Sequence, residues 1–162
     1  MVATAKMTPA KFFAKLAGVG FRFNSTTAKG VVAEKGSDGK ATLACFESVL
    51  GATRHPPGPL TTMLGEQVVH GEDIRRPLGM TRRYRPDVLA EVASFYQGTN
   101  LLLGGKKRVS GFRLRASDTD WSTGDGPEVV GPMTSLVLVI AGRRPALDAL
   151  TGEGVATLAA RT

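Results

Sequence analysis

The sequence predicts an α+β protein in which an all-helical part precedes a small mixed unit, and two observations carry that prediction. Up to about residue 103 apolar residues recur at helical spacing. Beyond Val109 the texture changes to the period-two alternation Phe112-Arg113-Leu114-Arg115-Ala116, followed by a segment rich in Asp, Thr and Gly. The boundary is therefore expected near residues 104–110, giving a helical part over 1–104 and a small α+β part over 105–162. A chain of 162 residues can build one hydrophobic core, or two small units sharing an interface.

The elements follow in order. Thr8 and Pro9 are placed as N-cap and first residue of a helix carrying Phe12, Phe13, Leu16 and Ala17, and a second helix is expected from about Phe21 to Glu34. Lys35-Gly36-Ser37-Asp38-Gly39 reads as a loop. A third helix is expected over about 40–50, with Leu43, Phe46, Val49 and Leu50 on one side. It stops before the proline-rich stretch 53–59. The next helix starts near Leu60 and ends near Arg76-Pro77-Leu78-Gly79, its apolar stripe reading Leu60, Met63, Leu64, Gln67, Val68 and Ile74. Another runs from Asp87 to about Leu103 and is closed by Gly104-Gly105-Lys106-Lys107. After the strand at 112–116, Asp118 to Pro127 is expected to turn as a hairpin toward a partner strand at 128–130. Pro132 starts a strongly apolar helix through Ile140 that ends at Gly142.

The formal net charge of +7 favours anionic partners. The basic residues are spread along the chain rather than gathered in one run with interleaved aromatics, so a specific nucleic-acid interface is not expected. Their tightest groups, 75–76, 82–85 and 106–108, are expected near helix C-termini or in loops, where the helix dipole favours cations. Cys45 is the only cysteine, which excludes an internal disulfide, suits a cytoplasmic setting, and reads as a buried, inert thiol. The apolar run at 136–141 is far shorter than the roughly 20 residues a spanning helix needs, so no membrane association is expected.

One stretch combines helical spacing with metal-ligand chemistry. Glu66 and His70 stand at i and i+4, so a carboxylate and an imidazole one turn apart can share a cation. Asp73 continues that face. It either hydrogen-bonds the second ring nitrogen of a histidine or pairs with Arg75, Arg76 or Arg54. His55, the other histidine, lies in the proline-rich loop and reads as structural or exposed.

His70-Gly71-Glu72-Asp73-Ile74-Arg75-Arg76-Pro77-Leu78-Gly79 resembles the end of the metal-binding helix in the mycothiol-dependent maleylpyruvate isomerase family. Residues 111–121, from Gly111-Phe112 to Asp120-Trp121, then Gly124-Asp125-Gly126-Pro127, Gly131-Pro132, Ala141-Gly142-Arg143 and Leu150-Thr151-Gly152, resemble that family's C-terminal domain in the same order. The resemblance implies an incomplete DinB-like helical bundle over 1–104, followed by a small sterol-carrier-like domain over 105–162. It implies a divalent metal, typically zinc, with Glu66 and His70 as ligands and Asp73 orienting a histidine from behind. Mycothiol is the implied thiol cosubstrate, activated by the metal for addition to a small electrophilic, acidic substrate. Arg143 is the implied arginine that reaches that substrate. Its alternative role is a helix-end cation bonding the last carbonyls.

The implied activity is that of an isomerase or thiol transferase, with a small-molecule substrate and a low-molecular-weight thiol as partners; a homodimer is compatible with it. The family's first metal histidine would fall just before Met1, so the chain is expected to begin late. Two explanations stand: a start upstream that restores a complete enzyme, or a shortened, non-catalytic paralogue that serves as a binding module.

Overall fold

A computed structural model describes residues 6, 8, 10, 14, 31–55, 57–100 and 103–162. Most of the helix expected at 8–17 and most of the one expected at 21–34 lie outside the described residues; Ala10, Ala14 and 31–34 are helical. The chain divides into two compact units, 1–59 and 60–162. The boundary expected near 104 therefore falls inside the second unit, because the helices on either side of it share one core.

In the first unit, α1 spans Gly39–Glu47. Asp38 caps it: the backbone is extended there and the carboxylate accepts from Ala41 N at 2.8 Å, satisfying a first-turn amide that has no helical partner. The stripe expected to be buried is largely exposed, Leu43 at 55% and Leu50 at 69%. Cys45 is half-buried rather than buried in an apolar setting, its Sγ lying 3.5 Å from Glu34 Oε2 and 3.6 Å from Lys6 Nζ.

The second unit begins with α2, Leu60–Arg75, which runs into a 3₁₀ turn at Arg76–Leu78 and stops at Gly79. Its buried face is Gly65, Val68, Val69 and Glu72, the i, i+3, i+4, i+7 set. The expected stripe lies to one side of this, and its ends are exposed, Leu60 at 67% and Ile74 at 61%. Helix α3, Pro86–Gly98, buries Leu89, Val92, Ala93 and Tyr96. It stops short of the expected end because the chain folds back: Lys106 N donates to Thr99 O at 3.1 Å and Lys107 N to Asn100 Oδ1 at 2.7 Å. Gly104 to Lys107, expected to close α3, instead open the short helix α4, Gly105–Val109.

Three short strands follow: β1 Arg113–Ala116, β2 Ser122–Thr123 and β3 Glu128–Gly131, in the order β2-β1-β3. β1 alternates exposed arginines with buried Leu114 and Ala116, the one-wet-face pattern its sequence predicts. The hairpin expected between β1 and 128–130 does not form: β1 makes its antiparallel pair with β2, and β3 pairs with β1 in parallel, Leu114 opposite Val129. The excursion through β2 supplies the crossover that a parallel pair requires.

Helix α5, Met133–Ile140, follows Pro132. Leu136 to Ile140 are all essentially buried, between α3 on one side and the sheet and a 3₁₀ segment at Arg144–Ala149 on the other. A helix apolar on every side is stable only in such a position. Helix α6, Val155–Ala159, seals the end of this core with Leu158. The helices plus a small mixed sheet make the chain α+β. No helix among the described residues is long and apolar enough to cross a membrane.

Candidate functional site

The four residues singled out from the sequence form one continuous polar chain. On α2, Glu66 Oε2 lies 3.2 Å from His70 Nε2, one turn away, and His70 Nδ1 lies 3.1 Å from Asp73 Oδ2. The imidazole is thus held between two carboxylates at the spacing that a helix imposes on i, i+4 and i, i+3 neighbours. Asp73 also meets Arg143 in a two-point pair, Oδ2 receiving Nη2 at 2.9 Å and Oδ1 receiving Nε at 3.2 Å.

Arg143 is aimed at α2 by the way α5 ends. Gly142 sits in the left-handed region at φ 85°, with Gly142 N donating to Val139 O at 2.9 Å and Arg143 N to Leu138 O at 2.8 Å. This paired closure satisfies the last helical carbonyls and reverses the chain, a turn that glycine makes at low cost. Arg143 Nη1 donates to Ala141 O at 3.1 Å, so the arginine serves the helix end and Asp73 together. Arg143 is therefore the arginine that Asp73 engages. Arg75 and Arg76 turn instead to Glu72, at 3.5 and 3.4 Å.

Electrostatics follow this geometry. The Arg143 guanidinium, helped by His70 and opposed by burial, holds the Asp73 carboxyl below its ordinary value. The site is partly open: the Glu66, His70 and Asp73 side chains are 44%, 43% and 37% exposed.

Two ligand atoms held about 2.0–2.1 Å from a tetrahedral zinc stand roughly 3.3 Å apart. The 3.2 Å between Glu66 Oε2 and His70 Nε2 fits such a shared edge, with Asp73 behind the ring as metal-bound histidines require. No group of three His, Cys, Asp or Glu side chains that could hold a metal ion occurs among the described residues. The chain gives no match to family models, to curated proteins or to solved structures.

Beside this chain lies a network that the sequence did not single out. Glu72 is 5% exposed and accepts from Tyr84 Oη at 2.9 Å, which itself receives Arg75 Nη1 at 2.8 Å. Arg76 reaches on to Ser135 Oγ of α5 at 2.9 Å. These bonds tie the C-terminal end of α2 to α5 and so set the distance from Asp73 to Arg143. In the sequence Glu72 is one of several charged residues in a polar helix end, and only its place in the Gly65, Val68, Val69 series marks it as inward-facing. Arg108 is a further tie, donating through Nη1 to Ile140 O at 2.6 Å and to Leu103 O at 3.1 Å, the helix-end role expected of that basic group. Arg82 to Arg85 lie in the loop before α3, one of the two settings expected of that group, with Arg82 stacked 5.5 Å over Tyr84.

Tyr96 of α3 was also missed. Its hydroxyl lies directly against α2 at Gly65, where a Cβ would overlap it and would come within 2.6 Å of Cζ. A glycine inside an otherwise helical pattern is the sequence signal for such a close approach.

Proposed function

We propose that the chain is a metal-dependent, thiol-using protein of the maleylpyruvate isomerase kind, acting on a small electrophilic, acidic substrate. In this reading residues 1–104 belong to an incomplete DinB-like helical bundle and residues 105–162 to a sterol-carrier-like domain. The observation that carries the proposal is the continuous chain Glu66, His70, Asp73, Arg143, in which a metal-ligand pair is joined through one carboxylate to an arginine. Glu66 and His70 would hold zinc. When bound, zinc supplies the acidity that leaves a cosubstrate thiol, mycothiol in this reading, as thiolate at neutral pH.

The protein's own residues then divide the work. Asp73 holds the Nδ1 side of the His70 ring, fixing which nitrogen faces outward. The same carboxylate restrains the Arg143 guanidinium, a planar donor suited to a substrate carboxylate.

A second reading, a non-catalytic binding module for a small molecule, is favoured by the absence of a third protein donor among the described residues. Zinc titration by calorimetry separates the two. The first reading expects the native chain to take up one equivalent of zinc, and Glu66→Ala and His70→Ala each to abolish uptake while remaining folded. Stoichiometric zinc retained in both variants would overturn the assignment.

A further inference from the structure

We propose that Arg108 is a positioning residue for Arg143: by serving the end of α5 from α4, it frees the Arg143 guanidinium to face Asp73 and the acidic ligand. The hydrogen bonds of that helix end carry the inference. Of the carbonyls from Val137 to Ala141, backbone amides take three, Ala141 N donating to Val137 O, Arg143 N to Leu138 O and Gly142 N to Val139 O. The two left over go to one guanidinium each. Ile140 O accepts from Arg108 Nη1 at 2.6 Å, and Ala141 O accepts from Arg143 Nη1 at 3.1 Å. Ile140 is buried, so its carbonyl cannot turn to water for a partner. Without Arg108 the neighbouring guanidinium, bonded one carbonyl along, is that of Arg143, and each N–H it spends on Ile140 O is lost to Asp73.

The seat of Arg108 supports this division. Its guanidinium lies against Gly142, the residue before Arg143: a Cβ there would stand 3.0 Å from Nη2 and 3.2 Å from Cζ. That side of the turn is filled, and filled with positive charge, so a second guanidinium is repelled from it and drawn to a carboxylate instead. Burial, and after it the Arg143 charge, holds Arg108 below the ordinary arginine value, which is the same repulsion met from the other side. The hydrogen bonds of Arg108 go to carbonyls alone, Ile140 O and Leu103 O, and among the described residues its Nε is buried without a partner. A buried N–H left unanswered is unfavourable, and the chain bears it to keep a guanidinium at this helix end.

This inference deepens the proposed function: that Arg143 meets a substrate carboxylate rests on that reading, whereas the placing of Arg143 against Asp73 does not. The test is a double-mutant cycle of Asp73→Ala and Arg143→Ala, measured by urea unfolding of the full, metal-free chain in the native background, with Arg108→Met and with Arg108→Lys. In the native background the Asp73–Arg143 coupling should be about fivefold in the folding equilibrium constant. With Arg108→Met, which removes donor and charge, it should fall to less than about twofold; with Arg108→Lys, which keeps both, it should stay above about threefold. Should Arg108→Met not fold, Arg108→Gln, which lacks the charge and the reach, takes its place. Both variants are expected to be less stable than the native chain, so the coupling and not the stability is the readout. Coupling unchanged by Arg108→Met would overturn the proposal, as would the absence of coupling in the native chain. Equal loss with Arg108→Lys would overturn it too, by showing that any change at this position loosens the helix end. Maleate, a small unsaturated dicarboxylate, titrated by calorimetry tests the acidic-substrate reading apart from this. If the native chain does not bind it, that reading fails and the Arg108 role stands on the cycle; if it binds, Arg108→Met should weaken binding severalfold, and equal affinity would overturn the proposal.

Discussion

Replacing Asp73 by asparagine keeps the size of the side chain and removes the charge that joins His70 to Arg143. In the native structure that carboxylate makes a two-point pair with Arg143, at 2.9 and 3.2 Å, and receives His70 Nδ1 at 3.1 Å. A charge-assisted hydrogen bond contributes about 1.5–3 kcal/mol where water is excluded. With the Asp73 side chain 37% and that of Arg143 28% exposed, solvent screening reduces this, and about 1 kcal/mol is expected for Asp73→Asn. For a unit of this size, that corresponds to a fall in thermal midpoint of roughly 4 °C or more. The effect on zinc should be larger: an asparagine can turn its amide away from Nδ1, and losing the carboxylate behind a ligating histidine typically costs 10–100-fold in affinity.

Urea unfolding of the metal-free chain and calorimetric zinc titration measure the two quantities separately. The pH dependence adds a third. Arg143 holds the Asp73 carboxyl below its ordinary 3.8 in the folded chain. The stabilisation is therefore fully present above that ordinary value and is lost as pH falls through the lowered folded one, and Asp73→Asn should remove this limb. An asparagine variant whose zinc affinity stays within twofold of native would show that the Asp73 contact does not position a metal ligand.

Two further substitutions test the frame around the site. Glu72→Ala removes a carboxylate that is 5% exposed and strands the Tyr84 hydroxyl and Arg75, so a loss of about 2–3 kcal/mol is expected by urea unfolding. A loss under about 0.5 kcal/mol would mean that the network does not hold α2 to α5. Gly65→Ala improves helix propensity by about 1 kcal/mol, but its methyl group collides with the Tyr96 hydroxyl, and overpacking at a buried position costs about 1–3 kcal/mol. The variant should melt below the native chain, with partial recovery in the double variant Gly65→Ala, Tyr96→Phe; a higher midpoint for the single variant would refute the close approach.

Much of the second unit was legible because its signals are local. Pro132, the apolar run behind it and Gly142 are enough to mark the start, course and end of α5. The alternation at 113–116 marks β1, and i, i+4 spacing alone brings Glu66 to His70. What depended on contacts distant in sequence was not legible. Which face of α2 is buried, that of Gly65, Val68, Val69 and Glu72, was decided by α3 packing against the helix within a shared core, since Leu60, Met63 and Leu64 offer a competing apolar stripe on the same helix. The parallel partnership of β1 and β3 was decided by the excursion through β2, because adjacent strands with a glycine-rich connection read equally well as a hairpin.

The site divides along the same line. The sequence by itself determined that Glu66, His70 and Asp73 share a helical face, because a helix places residues three and four apart side by side wherever it lies. Only the tertiary structure decided that Arg143, seventy residues on, closes that face through Asp73, and that the Tyr96 hydroxyl is seated against α2 at Gly65. Both depend on α2 packing on α3 and α3 on α5 within one core, which is a property of the core as a whole and of no single stretch of chain.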